Sequence, residues 1–89
     1  MSVYVDNMRA AYGRMKMCHM IADSREELDA MADAIGVARK WIQHVGTWRE
    51  HYDVCLSARE KAVKLGAIEV TSRALVLHMR KRLPNGKTD

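Results

Sequence analysis

The 89 residues accommodate one domain and exclude a second, because a chain this short buries only roughly 60 to 65% of the surface its unfolded form exposes. Hydrophobic residues at 48% and charged residues at 29% exclude a disordered or fibrous chain, and no run approaches the roughly 18 apolar residues that a membrane-spanning helix needs. The formal charge of +4 favours an anionic partner without choosing among small anions, acidic proteins and nucleic acid.

Val3, Tyr4, Val5 and Asp6 alternate in the β-branched and aromatic manner of a short strand, with Asp6 at its carboxyl end. Asn7 to Arg14 reads as a polar connection turning at Gly13, and Met15 to Ala22 as a second strand, apolar except at Lys16 and His19. Ser24 with Glu27 matches a capping box, so a helix starts there. Leu28, Met31, Ala32 and Ile35 form its apolar stripe, Arg25, Glu26, Asp29 and Asp33 face water, and Gly36 ends it. Val37 to Val45 reads as a third strand around Trp41 and Ile42, and Thr47 to Glu50 as a mobile loop.

His51 to Val54 alternates again, and Ser57 with Glu60 predicts a second capped helix burying Ala58, Ala62 and Leu65 and ending at Gly66. Ala67 to Val70 is a short apolar strand. Thr71 or Ser72 then caps a third helix, with Leu75, Val76, Met79 and Leu83 inward and Arg80, Lys81 and Arg82 solvated at its C-terminus before Pro84. Strands alternating with helices predict an α/β fold: a small, mainly parallel sheet of about three to five short strands with about three helices packed on it. Residues 1–84 form the domain, and 85–89 a frayed tail.

The interior must be filled without Phe and with seven Met, which predicts an adaptable core. Cys18 and Cys55 have no CxxC spacing and read as reduced, small hydrophobic residues rather than zinc ligands. The segment MSVYVDNMR lacks the basic-then-apolar order of a signal peptide, so a cytoplasmic location is expected.

Four polar residues sit in or beside apolar, strand-like runs: Asp6, His19, His51 and Asp53. Period-two alternation places His51 and Asp53 on one face, as it does Tyr4 and Asp6. Two imidazoles and two carboxylates can hold a divalent metal and activate water, or act as acid and base, although the spacing matches no HExxH or paired CxxC signature. A second set, Arg39, Lys40, Trp41, Arg49, Tyr52 and Arg73, could grip an anion or nucleotide through guanidinium–phosphate contacts and stacking. Ser24, Ser57 and Ser72 mark three helix starts that could assist. The Arg80, Lys81, Arg82 run with Arg73, His78 and Lys87 could touch nucleic acid phosphates, but no interleaved aromatic motif accompanies it.

The ordered segments VYVDNMR, MCHMIAD, EEL, IGVARKW, HYDV and GAIEVTSR resemble those of the family called domain of unknown function 4031, short proteins of bacteria and their phages. The resemblance runs from Val3 to about Leu77 and is carried by Asp6, His19, Asp23, Leu28, Gly36, Arg39, the triplet His51, Tyr52, Asp53, and the pair Gly66, Ala67. That family tolerates Ser at Cys18, and the resemblance implies no reaction or ligand. The leading expectation is a cytoplasmic, non-enzymatic binding module, of bacterial or phage origin, for a small anionic or nucleotide-like ligand or a host protein. The alternative is a small metal-dependent hydrolase of phosphoester bonds using Asp6, His19, His51 and Asp53, for which a divalent metal is the cofactor. A thin core also favours a homodimer, and no membrane partner is expected.

Overall fold

The computed structural model describes residues 2–13 and 15–82, without the side chains of Ala10, Ala11 and Tyr12. The expected burial of Leu83, the Pro84 stop and the 85–89 tail lie outside the described residues. The chain runs β1 (Val3–Val5), β2 (Ala10–Tyr12), β3 (Met15–Ala22), α1 (Arg25–Ile35), a 3-10 turn (Arg39–Trp41), β4 (Tyr52–Cys55), α2 (Leu56–Lys64), β5 (Ile68–Glu69) and α3 (Ser72–Arg80).

The fold is α/β with three helices, but its sheet is mixed rather than mainly parallel. Only β1 and β5 pair in parallel; β1, β2 and β4 all pair antiparallel to β3. Two connections account for this. The chain turns at Gly13 (φ 60°) and pairs β2 directly with β3, which a parallel arrangement could not do without a crossover. After α1 carries the chain away from the end of β3, residues 36–51 bring it back to the same end, where Tyr52 pairs with Met20. Those residues are therefore a return path and not the third strand that Trp41 and Ile42 suggest. Their sole pairing is a bridge between Gln43 and His51, and Trp41 is 59% exposed.

β3 carries neighbours on both edges. Met20 pairs with Val5 on one side and Tyr52 on the other, and Met17 with Ala10 and Cys55, so β1 and β2 share one edge and β4 holds the other. Alternation along β3 then divides the core in two. Cys18, Met20 and Ala22 join Val3, Val5, Tyr52, Val54 and the apolar faces of α1 and α2 in the main cluster. Ile21 faces the opposite way and packs with Leu75 and Met79 of α3 beside Tyr4. α1 and α2 thus cover one face of the sheet and α3 part of the other.

Local signals explain most of the helices. Ser24 accepts from the Glu27 N–H at 3.2 Å, the expected N-cap, and Gly36 at φ 81° closes α1 in the left-handed conformation that L side chains resist. Asp29, expected in water, is instead buried: it accepts from the Tyr52 hydroxyl at 2.6 Å and from Arg25. α2 begins two residues earlier than the Ser57–Glu60 pair predicts, with Cys55 at the N-cap and Ser57 inside the first turn against the Cys55 thiol at 3.2 Å. Thr71 caps α3 through the Ala74 N–H at 3.1 Å, and Val76 points outward. Both cysteines are free, Cys18 buried and Cys55 half-buried. No helix among the described residues is long and apolar enough to cross a membrane.

Candidate metal centre

Strand register brings three of the four suspected polar residues into one row. His19 on β3 is the partner of Asp53 on β4. On its other side, one step past the Val5–Met20 pair, the Asp6 N–H donates to the His19 carbonyl at 3.1 Å and extends the ladder. Asp6, His19 and Asp53 therefore lie side by side across three strands, on the face that also bears Ile21 and Tyr4. His51 lies two residues before Asp53, so its side chain emerges on the same face, and its bridge to Gln43 fixes the backbone there.

Each imidazole is oriented through its Nδ1. Asp6 Oδ2 sits 2.8 Å from His19 Nδ1, while Asp6 Oδ1 accepts the main-chain N–H groups of His19 at 2.8 Å and Met8 at 3.3 Å. The Arg49 carbonyl sits 2.6 Å from His51 Nδ1 and can only accept, so that nitrogen carries the proton. In the neutral form of each ring, Nε2 is then left as a bare lone pair. Both Nε2 atoms turn toward Asp53 Oδ1, at 3.7 Å from His19 and 3.2 Å from His51. That oxygen is buried and has no hydrogen-bond partner.

With both rings neutral, three acceptors thus converge within 4.8 Å of one another, and a divalent cation would satisfy all three at once. Donors around one tetrahedral zinc ion stand about 3.3 Å apart, given metal–ligand bonds of about 2.0 to 2.1 Å, so small side-chain adjustments would suffice. The set of two imidazoles and one carboxylate suits zinc, ferrous iron or manganese. Asp6 and the Arg49 carbonyl are the outer partners that fix tautomers in such centres.

The protonation states follow from these contacts. The hydrogen bond to Asp6 raises the His19 pKa above its ordinary value, with burial opposing. Burial pushes the Asp6 carboxyl upward, but the hydrogen bonds from the His19 side chain and main chain outweigh it and hold the group below the usual range. Burial lowers the His51 pKa, keeping that ring neutral and available as a donor of its lone pair. The His44 ring stacks on His51 with centroids 5.7 Å apart, held by a residue at φ 53°.

The anion-binding candidates do not assemble. Arg39 pairs with Asp33 at 2.7 Å, Lys40 lies over the exposed Trp41, and Tyr52 is fully buried against Asp29 on the α1 side. Arg73 stands on α3, on the other face of the sheet. Two hollows of about 200 Å³ each lie at the Ala22 end of β3 and a more open one of about 530 Å³ lies along α3, and none of these contains any of the four clustered residues. Sequence reasoning missed the two backbone anchors of the site, the Arg49 carbonyl and, behind it, Arg82. A carbonyl has no sequence signature, and Arg82 read as a solvated helix-end cation, whereas it folds back onto three carbonyls.

The sequence model of the family described as "Protein of unknown function (DUF4031)" matches residues 3–82, and the chain belongs to that family. No curated protein and no solved structure matches the chain.

Proposed function

We propose that this domain binds one divalent transition-metal ion through His19 Nε2, His51 Nε2 and Asp53 Oδ1, and that the ion serves hydrolysis of a phosphoester. The observation that carries the reading is that three lone-pair donors lie within 4.8 Å of one another while both Nδ1 atoms are already engaged. A proton on His19 Nε2 satisfies Asp53 Oδ1 in part, because Asp6 raises that ring's pKa, whereas His51, kept neutral by burial, still aims a lone pair at the same buried oxygen and gains a partner there only when a cation joins them.

Three protein ligands, rather than four, favour a catalytic over a structural site, since structural zinc centres close their coordination with a fourth side chain. His19 is about one-third and Asp53 about two-fifths exposed, so the group lies at the protein surface within reach of water. A divalent ion held this way lowers the pKa of a water it carries toward neutrality. For the substrate's charge, α3 offers Arg73 in its first turn, whose start is tied toward the site by the Ser72 N–H donating to Asn7 Oδ1, next to Asp6.

The test is elemental analysis of protein dialysed against zinc, manganese and ferrous iron, followed by assay on phosphomonoesters and phosphodiesters. One equivalent of bound metal, lost in His51→Ala and Asp53→Ala, is expected, with hydrolysis that requires it. Wild-type protein that retains no metal overturns the centre; a loaded protein inert on every phosphoester overturns the hydrolase reading and keeps the centre.

A further inference from the structure

The proposed ligands lie on β3, on β4 and, for His51, just before β4, yet an outer restraint on His51 starts far along the chain. Arg82, just past the last turn of α3, sends Nη1 to the Glu50 carbonyl at 2.8 Å and to the Trp48 carbonyl at 3.3 Å, and Nη2 to the Ala22 carbonyl at 2.8 Å. Those contacts span from the end of β3 to the loop that leads into β4. The two loop carbonyls it grips flank the carbonyl of Arg49, the one that engages His51 Nδ1 at 2.6 Å. Glu50 is tied down from the other side as well, its Oε2 accepting from Arg25 Nη1 at 2.9 Å and from the Gly46 N–H at 3.0 Å.

We infer that Arg82 is a positioning residue for the metal centre: it fixes the 48–50 backbone so that the Arg49 carbonyl holds His51 with Nε2 toward Asp53, which makes docking of α3 and readiness of the centre one equilibrium. This rests on the metal reading above. Arginine suits the task, because its planar fork presents several donors in fixed directions, whereas a lysine ammonium reaches the same carbonyls only as a point on a flexible stem. Coupling of this kind is reciprocal. If docking of α3 strengthens metal binding, bound metal must strengthen docking of α3 by the same factor.

Zinc is the probe. Its dissociation constant is measured by chelator competition for wild type, Arg82→Lys, Arg82→Ala and, as a control for lost stability alone, Val63→Ala, a core truncation on α2 away from the loop. Direct outer partners of a ligand are worth about 10- to 100-fold in affinity, and Arg82 acts one bond further out, so a loss of about tenfold is expected in both Arg82 variants. The control should stay within about twofold. Hydrogen exchange should show zinc slowing the amides at the end of α3 in wild type and not in Arg82→Lys. The His51 tautomer is read separately by nitrogen-15 shifts on metal-free protein, where wild type should carry the proton on Nδ1 and Arg82→Lys should show a mixture. Arg82 variants that bind zinc like wild type, or a control that loses as much, overturn the inference. If wild type binds no zinc, the metal reading falls, and the tautomer measurement still decides whether Arg82 orients His51.

Discussion

Asp6→Asn separates a tautomer-setting carboxylate from a merely buried one. In the native site Oδ1 accepts two main-chain N–H groups, from His19 and Met8, and Oδ2 faces His19 Nδ1. An asparagine must keep its carbonyl oxygen where the two N–H groups point. Its NH2 then faces His19 Nδ1, and two donors cannot face each other, so the imidazole moves its proton to Nε2. That nitrogen can no longer ligate. The substitution is nearly isosteric in a site where Asp6 is 1% exposed, so packing is kept while the tautomer inverts. Losing an outer partner costs about 10- to 100-fold in metal affinity, and inversion adds the work of restoring the right tautomer, so a loss near the upper end, about 100-fold, is expected. Zinc competition gives the constant, and nitrogen-15 shifts of the His19 ring in metal-free protein give the tautomer. Affinity within about twofold of wild type, with the ring still protonated on Nδ1, would refute the reasoning.

Tyr52→Phe removes a buried hydroxyl whose pKa burial and the Asp29 hydrogen bond push up to about 12. A hydrogen bond to a charged acceptor is worth about 1.5 to 3 kcal/mol, and Arg25 still serves Asp29, so a loss of about 1.5 to 2 kcal/mol and a fall in Tm of roughly 6 to 16 °C are expected by calorimetry, with zinc affinity unchanged because Tyr52 faces α1. Gly36→Ala meets no neighbouring atom and pays only for φ 81°, about 1 kcal/mol in chemical denaturation; an unchanged midpoint would count against the left-handed stop. Zinc affinity should fall about tenfold per pH unit below the raised His19 pKa, since a proton then occupies Nε2, while His51, lowered by burial, does not compete in that window. In metal-free protein the sign reverses for His19: its contribution to stability is complete below the unfolded value and is lost as pH rises through the folded one. Titration of zinc affinity between pH 5 and 9, about one proton wide, checks the first statement.

β3 was legible to the residue because its eight positions alternate or run apolar between two turns, and α1 because Ser24, the apolar stripe and Gly36 agree. β2 was not, since Ala10, Ala11 and Tyr12 lie among polar residues and gain strand character only by pairing with β3. The direction of β4 could not be read either: antiparallel pairing depends on residues 36–51 acting as a return path, which is a property of the whole chain. The grouping of Asp6, His19, His51 and Asp53 was inferable from polar residues in apolar runs. Its register was not, because a slip of one residue would turn His19 into the α1 core and Cys18 into the site. Asp29 was misplaced in water because its partner, Tyr52, lies 23 positions away in sequence.

The centre should also report on the fold. Its proposed ligands lie on β3, on β4 and just before β4, so a bound ion would tie β3 to β4 directly and β1 through the Asp6–His19 hydrogen bond, around a Met-rich core without Phe. An unfolded chain offers no preformed site, so binding energy becomes folding energy. With zinc at 100 times its dissociation constant the gain is about 2.7 kcal/mol. For a domain of this size that corresponds to a rise in Tm of roughly 10 to 20 °C, a large fraction of a thin margin. His51→Ala should melt at the same temperature with and without zinc, because two donors remain where three are needed. A wild-type protein that binds zinc tightly and still melts unchanged would place the ion elsewhere, on ligands that persist in the unfolded chain.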